Sequence, residues 1–231
     1  AGETKIKCIP SRDHTEKLFL YLNLPIKIKK GKKFETITLN GKKNYKAFNY
    51  VIPGDISSSA FFIALTLLSK NSKILIKNVN VNNSRTGIID ILKIMNAKIY
   101  LKNKRTNNGE KIADIFVKSS NKLKSINCPV KMNSRAIDEF LIIFLICSVA
   151  NGISKFRKIG ELRNKETDRL KFANNFLKKI GIKTKMTKSS FKIYGKPNLK
   201  LNKTYEIKNF DKDHRACMMS FIAALTLGGK W

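Results

Sequence analysis

The chain has 231 residues, 42% of them hydrophobic, and carries 47 Lys and Arg against 16 Asp and Glu for a formal net charge of +31. That length and apolar fraction suit one large or two modest folded domains. The charge raises nucleic-acid binding as a class, but lysine is spread over almost every segment, amid Asn and Ile in the manner of AT-rich coding, and no zinc-finger spacing, RNA-recognition signature or basic zipper accompanies it.

In chain order, Leu18–Thr38 reads as an apolar helix end that stops at Asn23 and continues into alternating Ile26-Lys27-Ile28. Asp55-Ile56-Ser57-Ser58-Ser59-Ala60 opens a helix that is apolar on nearly all faces, with Asp55 as N-cap and the three serines as helix-start hydroxyls, since no GxSxG frame surrounds them. Lys73–Lys77 reads as a strand, and Ile89–Val117 repeats the helix, stop and strand pattern around Asn96. Asp138–Ile143 starts a second all-apolar helix, with Asp138 in the N-cap position, and Ile153–Phe156 reads as the next strand. Phe172–Tyr194 repeats the pattern around Gly181, with the strand period over Ile182–Met186, and Asp213 opens a third apolar helix. Asn and Gly at 23, 96 and 181 suit the left-handed stop of a helix.

Before Phe172, Lys165-Glu166-Thr167-Asp168-Arg169-Leu170-Lys171 crowds two acids and three bases into what reads as the first turns of a helix. Unpaired N–H groups, the helix dipole, Lys165 and Arg169 would together attract a multiply charged anion. Glu166 would weaken simple binding, yet it is the group a reaction needs for proton transfer beside a bound phosphate. Taken alone, a solvated helix face explains the same spacing, at roughly 0.2–0.5 kcal/mol per favourable pair.

The repeating unit is therefore buried helix, strand, amphipathic helix, strand, strand. Two units are whole, and the count predicts that the chain opens and closes inside others.

The series Pro10-Ser11-Arg12-Asp13-His14-Thr15-Glu16, Val51-Ile52-Pro53-Gly54-Asp55-Ile56-Ser57-Ser58, Asn83-Ser84-Arg85-Thr86-Gly87, Ile137-Asp138-Glu139, Glu161–Leu170 and Asp213-His214-Arg215 resembles, in order and over almost the whole chain, the 3-phosphoshikimate 1-carboxyvinyltransferases, or EPSP synthases. The resemblance implies an α/β inside-out enolpyruvyltransferase fold of βαβαββ units, truncated here at both ends. It implies that 1–52 is the last part of an N-terminal domain, and that 53–231 is a C-terminal domain lacking its final strands. The implied reaction moves the enolpyruvyl group of phosphoenolpyruvate onto the 5-hydroxyl of shikimate 3-phosphate, through a tetrahedral intermediate that expels phosphate.

Position by position, the resemblance makes Asp138 the contact of the 5-hydroxyl and Glu166 the proton-transfer group at the methylene carbon. Lys165, Arg169 and Arg215 become the cations of phosphoenolpyruvate, and Ser11 and Arg12 the grip on the shikimate phosphate. His14 and His214 read as positioning residues. Half of the family's site lies outside the chain, so the isolated fragment is expected to turn over little or not at all.

No metal and no cofactor is expected. Cys8, Cys128, Cys147 and Cys217 are dispersed, without CxxC, as reduced core thiols of a cytoplasmic protein would be. The longest apolar run, Phe140–Ala150, is too short to span a bilayer, and a monomer is expected. The rival enzyme class is the UDP-N-acetylglucosamine enolpyruvyltransferase, which normally lacks the Lys-Glu-Thr-Asp-Arg and Asp-His-Arg combination. The rival of another kind is a non-catalytic anion or nucleic-acid binding module. P-loop and dinucleotide-binding glycine motifs are absent.

Overall fold

The computed structural model describes residues 2–41, 46–208 and 210–231. The first group of elements is β1 (Glu3–Cys8), α1 (His14–Tyr21), β2 (Ile26–Lys30) and β3 (Glu35–Asn40), whose strands form an antiparallel sheet in the order β1-β3-β2. The first complete unit follows as α2 (Ile56–Leu68), β4 (Lys73–Asn80), α3 (Gly87–Ile94), β5 (Ile99–Asn107) and β6 (Glu110–Lys118), with sheet order β4-β6-β5. The second is α4 (Phe140–Ser148), β7 (Ile153–Arg157), α5 (Arg169–Lys179), β8 (Thr184–Met186) and β9 (Ser190–Tyr194), with order β7-β9-β8. Then come β10 (Leu201–Thr204), α6 (His214–Leu227) and β11 (Gly228–Lys230).

Each apolar helix is a crossover between parallel neighbours, because a parallel return needs a long connection and the helix supplies it. Gly54 bridges Val79 across α2, Lys124 and Asn127 bridge Asn151 and Lys155 across α4, and β10 pairs with β11 across α6. The opening strand of the two complete units is thus reduced to one or two bridges, which is why the unit reads from the sequence as starting at its helix.

The expected helix stops are present. Asn23, Asn96 and Gly181 all take positive φ, at 53°, 64° and 80°. The space around Gly181 is open, so glycine is needed there for backbone conformation alone. At Gly87 the reason is proximity: a Cβ would meet the Arg135 carbonyl carbon at 2.7 Å, and α3 packs by that contact on the turn ahead of α4.

The core is centred on α4, all nine of whose residues are buried. Phe144 meets both Phe156 and Phe191 edge to face, with ring centroids 5.0 Å apart, joining the helix to β7 and β9. Burial pushes the thiols of Cys128 and Cys147 up to about 11 and about 12.

Four expectations need correction. The helix expected from Lys165 begins only at Arg169, because Asp168 takes the N-cap role, accepting from the Lys171 N–H at 2.8 Å, and Lys165 is extended. Asp138 caps nothing. A short 3-10 turn at Ser134–Ala136 leads into α4, Glu139 donates its N–H to the Ala136 carbonyl, and the Asp138 carboxylate is released for other partners. The first strand of the second unit's hairpin, β8, is shorter than the expected Ile182–Met186 and covers only Thr184–Met186. Finally, α6 is not buried all round: Phe221 and Leu225 are 65% and 66% exposed, on a face that no described element covers.

Candidate functional site

The loop between β7 and α5 is held open by its own charges. Arg163 donates to the carbonyls of Lys188 and Thr187 in the β8–β9 hairpin at 3.0 and 3.1 Å, and its third arm meets Asp168 at 2.5 Å. With Asp168 spent on this pair and on the helix cap, Lys165 and Glu166 project from the loop, outside any helix. The turn before α4 is fixed to the same loop by Asn133, which donates to the carbonyls of Arg157 and Lys158.

Arg169 is the centre. Its side chain is 1% exposed, which rules out a solvated helix face, and its three nitrogens reach three carboxylates. Nε donates to Asp213 Oδ2 at 2.8 Å and Nη2 to Glu166 at 2.5 Å, while Nη1 lies 3.6 Å from Asp138 Oδ1 and has no hydrogen-bond partner among the described residues. Lys165 Nζ approaches the same Asp138 oxygen at 3.5 Å, and Arg12 pairs with the other.

Burial would raise the Asp138 carboxyl, but the Arg12 hydrogen bond and charge, with Lys165 and Arg215, outweigh it and hold the group below the usual carboxylate range. Arg215 follows the cap of α6, its backbone N–H accepted by Asp213, and its guanidinium makes no ion pair among the described residues. Glu166 is half-exposed.

The structure thus brings together Arg12, Asp138, Lys165, Glu166 and Arg169, with Arg215 close enough to act on Asp138. Asp138 and Glu166 do not face each other over an empty pocket; they flank one guanidinium. Ser11 is exposed on the segment before α1 and joins no hydrogen bond among the described residues. His214 is exposed. A groove of about 520 Å³ beside Thr167, Phe172, Phe176 and Ile207 contains none of the seven expected residues.

Two carboxyl groups were missed as site members. Asp213, expected only as a helix cap, is fully buried and caps α6 while gripping Arg169 and accepting from the Thr167 hydroxyl at 3.0 Å. Burial would raise its carboxyl, but Arg169 outweighs that and lowers it. The signal was available in the placement of an acid two residues before Arg215, but its partner lies 44 residues away. Glu139, 2% exposed, accepts from the Ser57 hydroxyl, and Ser57 in turn accepts from Arg85 at 2.8 Å. Burial dominates and pushes Glu139 upward. Among the described residues no group of His, Cys, Asp and Glu is arranged to hold a metal ion.

The sequence model of EPSP synthase (3-phosphoshikimate 1-carboxyvinyltransferase) matches residues 2–230. Curated relatives named 3-phosphoshikimate 1-carboxyvinyltransferase include that of Petrotoga mobilis, 39% identical over 226 residues, and that of Geotalea daltonii, 40% over 225; each alignment covers 97% of this chain and 50% of the relative. The chain therefore spans about half the length of the curated relatives it matches. Among solved structures, EPSP synthase from Acinetobacter baumannii superposes with a TM-score of 0.84 at 32% identity, over 97% of this chain and 51% of that one. The enolpyruvyl transferase NikO from Streptomyces tendae, at 16% identity and a TM-score of 0.68 over 99% of this chain and 50% of that one, shares the fold. With its repeated α/β units and the Lys165–Arg169 and Asp213–Arg215 clusters in the family's order, the chain belongs to the EPSP synthase family.

Proposed function

We propose that this chain supplies one face of a site that transfers the enolpyruvyl group of phosphoenolpyruvate to the 5-hydroxyl of shikimate 3-phosphate, releasing phosphate. The observation that carries the reading is the buried Arg169 fork, which sets two carboxylates of different exposure around one cation. Asp138 is ionised at neutral pH, as a base for the hydroxyl must be. The hydroxyl gives its proton to Asp138, its oxygen bonds to the substituted enol carbon, and the methylene carbon takes a proton from Glu166. Return of a methyl proton to Glu166 then re-forms the double bond as the phosphate leaves, taking with it the proton held by Asp138. Lys165, Arg169 and Arg215 neutralise the carboxylate and phosphate of phosphoenolpyruvate, and Ser11 and Arg12 hold the phosphate of the shikimate.

The same reading divides the chain at 52/53, a boundary supported by the separate sheets on its two sides; residues 42–45 of the first part lie outside the described residues. It places the protein in the cytoplasm as a monomer, consistent with free cysteines and with no helix among the described residues being long and apolar enough to cross a membrane.

The test replaces the matching 226 residues of the Petrotoga mobilis relative with this chain and measures phosphate release from phosphoenolpyruvate that depends on shikimate 3-phosphate. Transfer by the chimera is expected, with a loss of about 100-fold or more in Asp138→Asn and in Glu166→Gln. A folded chimera that transfers nothing, or one indifferent to Glu166→Gln, overturns the reading.

A further inference from the structure

Three consecutive side chains, Arg12, Asp13 and His14, leave the segment before α1 and reach three different elements of the rest of the chain. Arg12 meets Asp138 in the turn before α4. Asp13 Oδ1 accepts from Asn82 Nδ2, in the loop after β4, at 2.6 Å. His14 Nδ1 lies 2.5 Å from Glu110 Oε1 at the start of β6.

The first of these contacts is open to solvent on the arginine side. The Arg12 side chain is 40% exposed, and ion pairs so placed hold a long side chain poorly. The second is anchored from its partner's side, since the Asp13 side chain is itself 44% exposed. Asn82 is 1% exposed and locked at both ends: its N–H donates to Asn80 Oδ1 at 2.9 Å, and its own Oδ1 accepts from the Ser84 N–H at 2.9 Å and the Ser84 hydroxyl at 3.0 Å. Asp13 also takes Lys17 Nζ at 3.1 Å.

An aspartate just before a helix is ordinarily spent on capping it. Asp13 occupies the N-cap of α1 but makes no side-chain cap bond, so its carboxylate serves the contact with Asn82 instead. We infer that Asp13 is a positioning residue: held by Asn82 across the boundary between the first sheet and the rest of the chain, it fixes the backbone of its neighbour Arg12 so that the guanidinium stays on Asp138. The consequence for shikimate 3-phosphate rests on the function proposed above.

The kinetic test is made in the chimera. Asp13→Ala is expected to raise KM for shikimate 3-phosphate about tenfold, while KM for phosphoenolpyruvate stays within twofold, because its proposed cations Lys165, Arg169 and Arg215 are carried by other segments and none of them is held by Asp13. Asp13→Asn, whose amide oxygen still accepts from Asn82, is expected to restore the parent value. An unchanged KM in Asp13→Ala, or equal rises for both substrates, overturns the inference.

The structural test is made on the 231-residue chain and needs no turnover. Guanidinium N–H resonances of Arg12, identified by their loss in Arg12→Lys, are expected to be resolved by nitrogen-15 NMR in the parent and in Asp13→Asn, and averaged in Asp13→Ala. Resolved signals in Asp13→Ala overturn the inference. A chimera without any transfer, accompanied by the expected NMR result, removes the substrate reading and leaves the positioning role standing.

Discussion

In the unit from Ile56 to Lys118, the connection between β4 and α3 turns back on itself, with Arg85 closing on Asp55 at 2.8 Å and on the Ser57 hydroxyl. In the unit from Phe140 to Tyr194, the equivalent connection runs from 158 to 168 and delivers Lys165 and Glu166 beside Asp138 and Arg169. The backbone plan is the same in both. In the first unit the arginine is satisfied by the cap of its own unit's helix, whereas Arg169 is satisfied by Asp213 from the element beyond, which leaves Nη1 without a hydrogen bond. A repeated scaffold acquires a candidate reaction centre where one loop is lengthened and its cation is held from outside the repeat.

The comparison breaks most sharply at the two arginines. Arg169→Met leaves Asp213 buried without its partner and is expected to destabilise the chain by about 3–5 kcal/mol, read from denaturant unfolding. Arg85→Met removes a partly exposed pair and is expected to cost about 1 kcal/mol or less.

The two capping aspartates sharpen it further. Asp55 and Asp213 both sit below the usual range: burial pushes each up, and it is outweighed at Asp55 by the Ser58 hydrogen bond and Arg85, and at Asp213 by Arg169. A lowered folded value means that the unfolded chain takes the proton first as pH falls, so the stabilisation is complete above the ordinary aspartate range and is lost as pH drops through the lowered value. Asp213→Asn, which keeps a good cap, is expected to flatten the acid limb of the stability profile, and Asp55→Asn to flatten it less, because Asp55 is 45% exposed.

Glu139 has the opposite sign. Its raised value means that stability is lost as pH rises from the ordinary glutamate range through that value, so Glu139→Gln is expected to raise the melting midpoint by a few degrees at neutral pH and to leave it unchanged in acid. A midpoint that falls at neutral pH would show that Glu139 is held as an anion. Smallest are the helix stops: Gly181→Ala, at φ 80°, is expected to cost about 1 kcal/mol, and Asn96→Gly, at φ 64°, to change stability by only a few tenths.

The repeat was legible in the sequence because its signals are local: stop residues at 23, 96 and 181, caps at 55 and 213, and strand alternation between them. Lys165, Glu166 and Arg169 were legible as one charged cluster, but joining them to Asp138 and Arg215 came only through resemblance, since no spacing rule links Asp138 to Arg169. What escaped was partnership. Glu139 with Ser57, Asp213 with Arg169 and Asp13 with Asn82 are separated by 82, 44 and 69 residues, and each acid has a plausible local role, as cap or surface charge, that conceals the distant one. The late start of α5 escaped for a related reason, because two acids two residues apart compete for one cap and Arg163 decides the contest in favour of Asp168.

The sulfur near the C-terminal end of α4 offers a clock. Cys147 is completely enclosed and strongly disfavours the thiolate, the form that alkylating reagents attack, so its labelling at neutral pH counts the moments when the central helix leaves its packing. The partly exposed Cys217 on the neighbouring α6 supplies the reference rate within the same molecule.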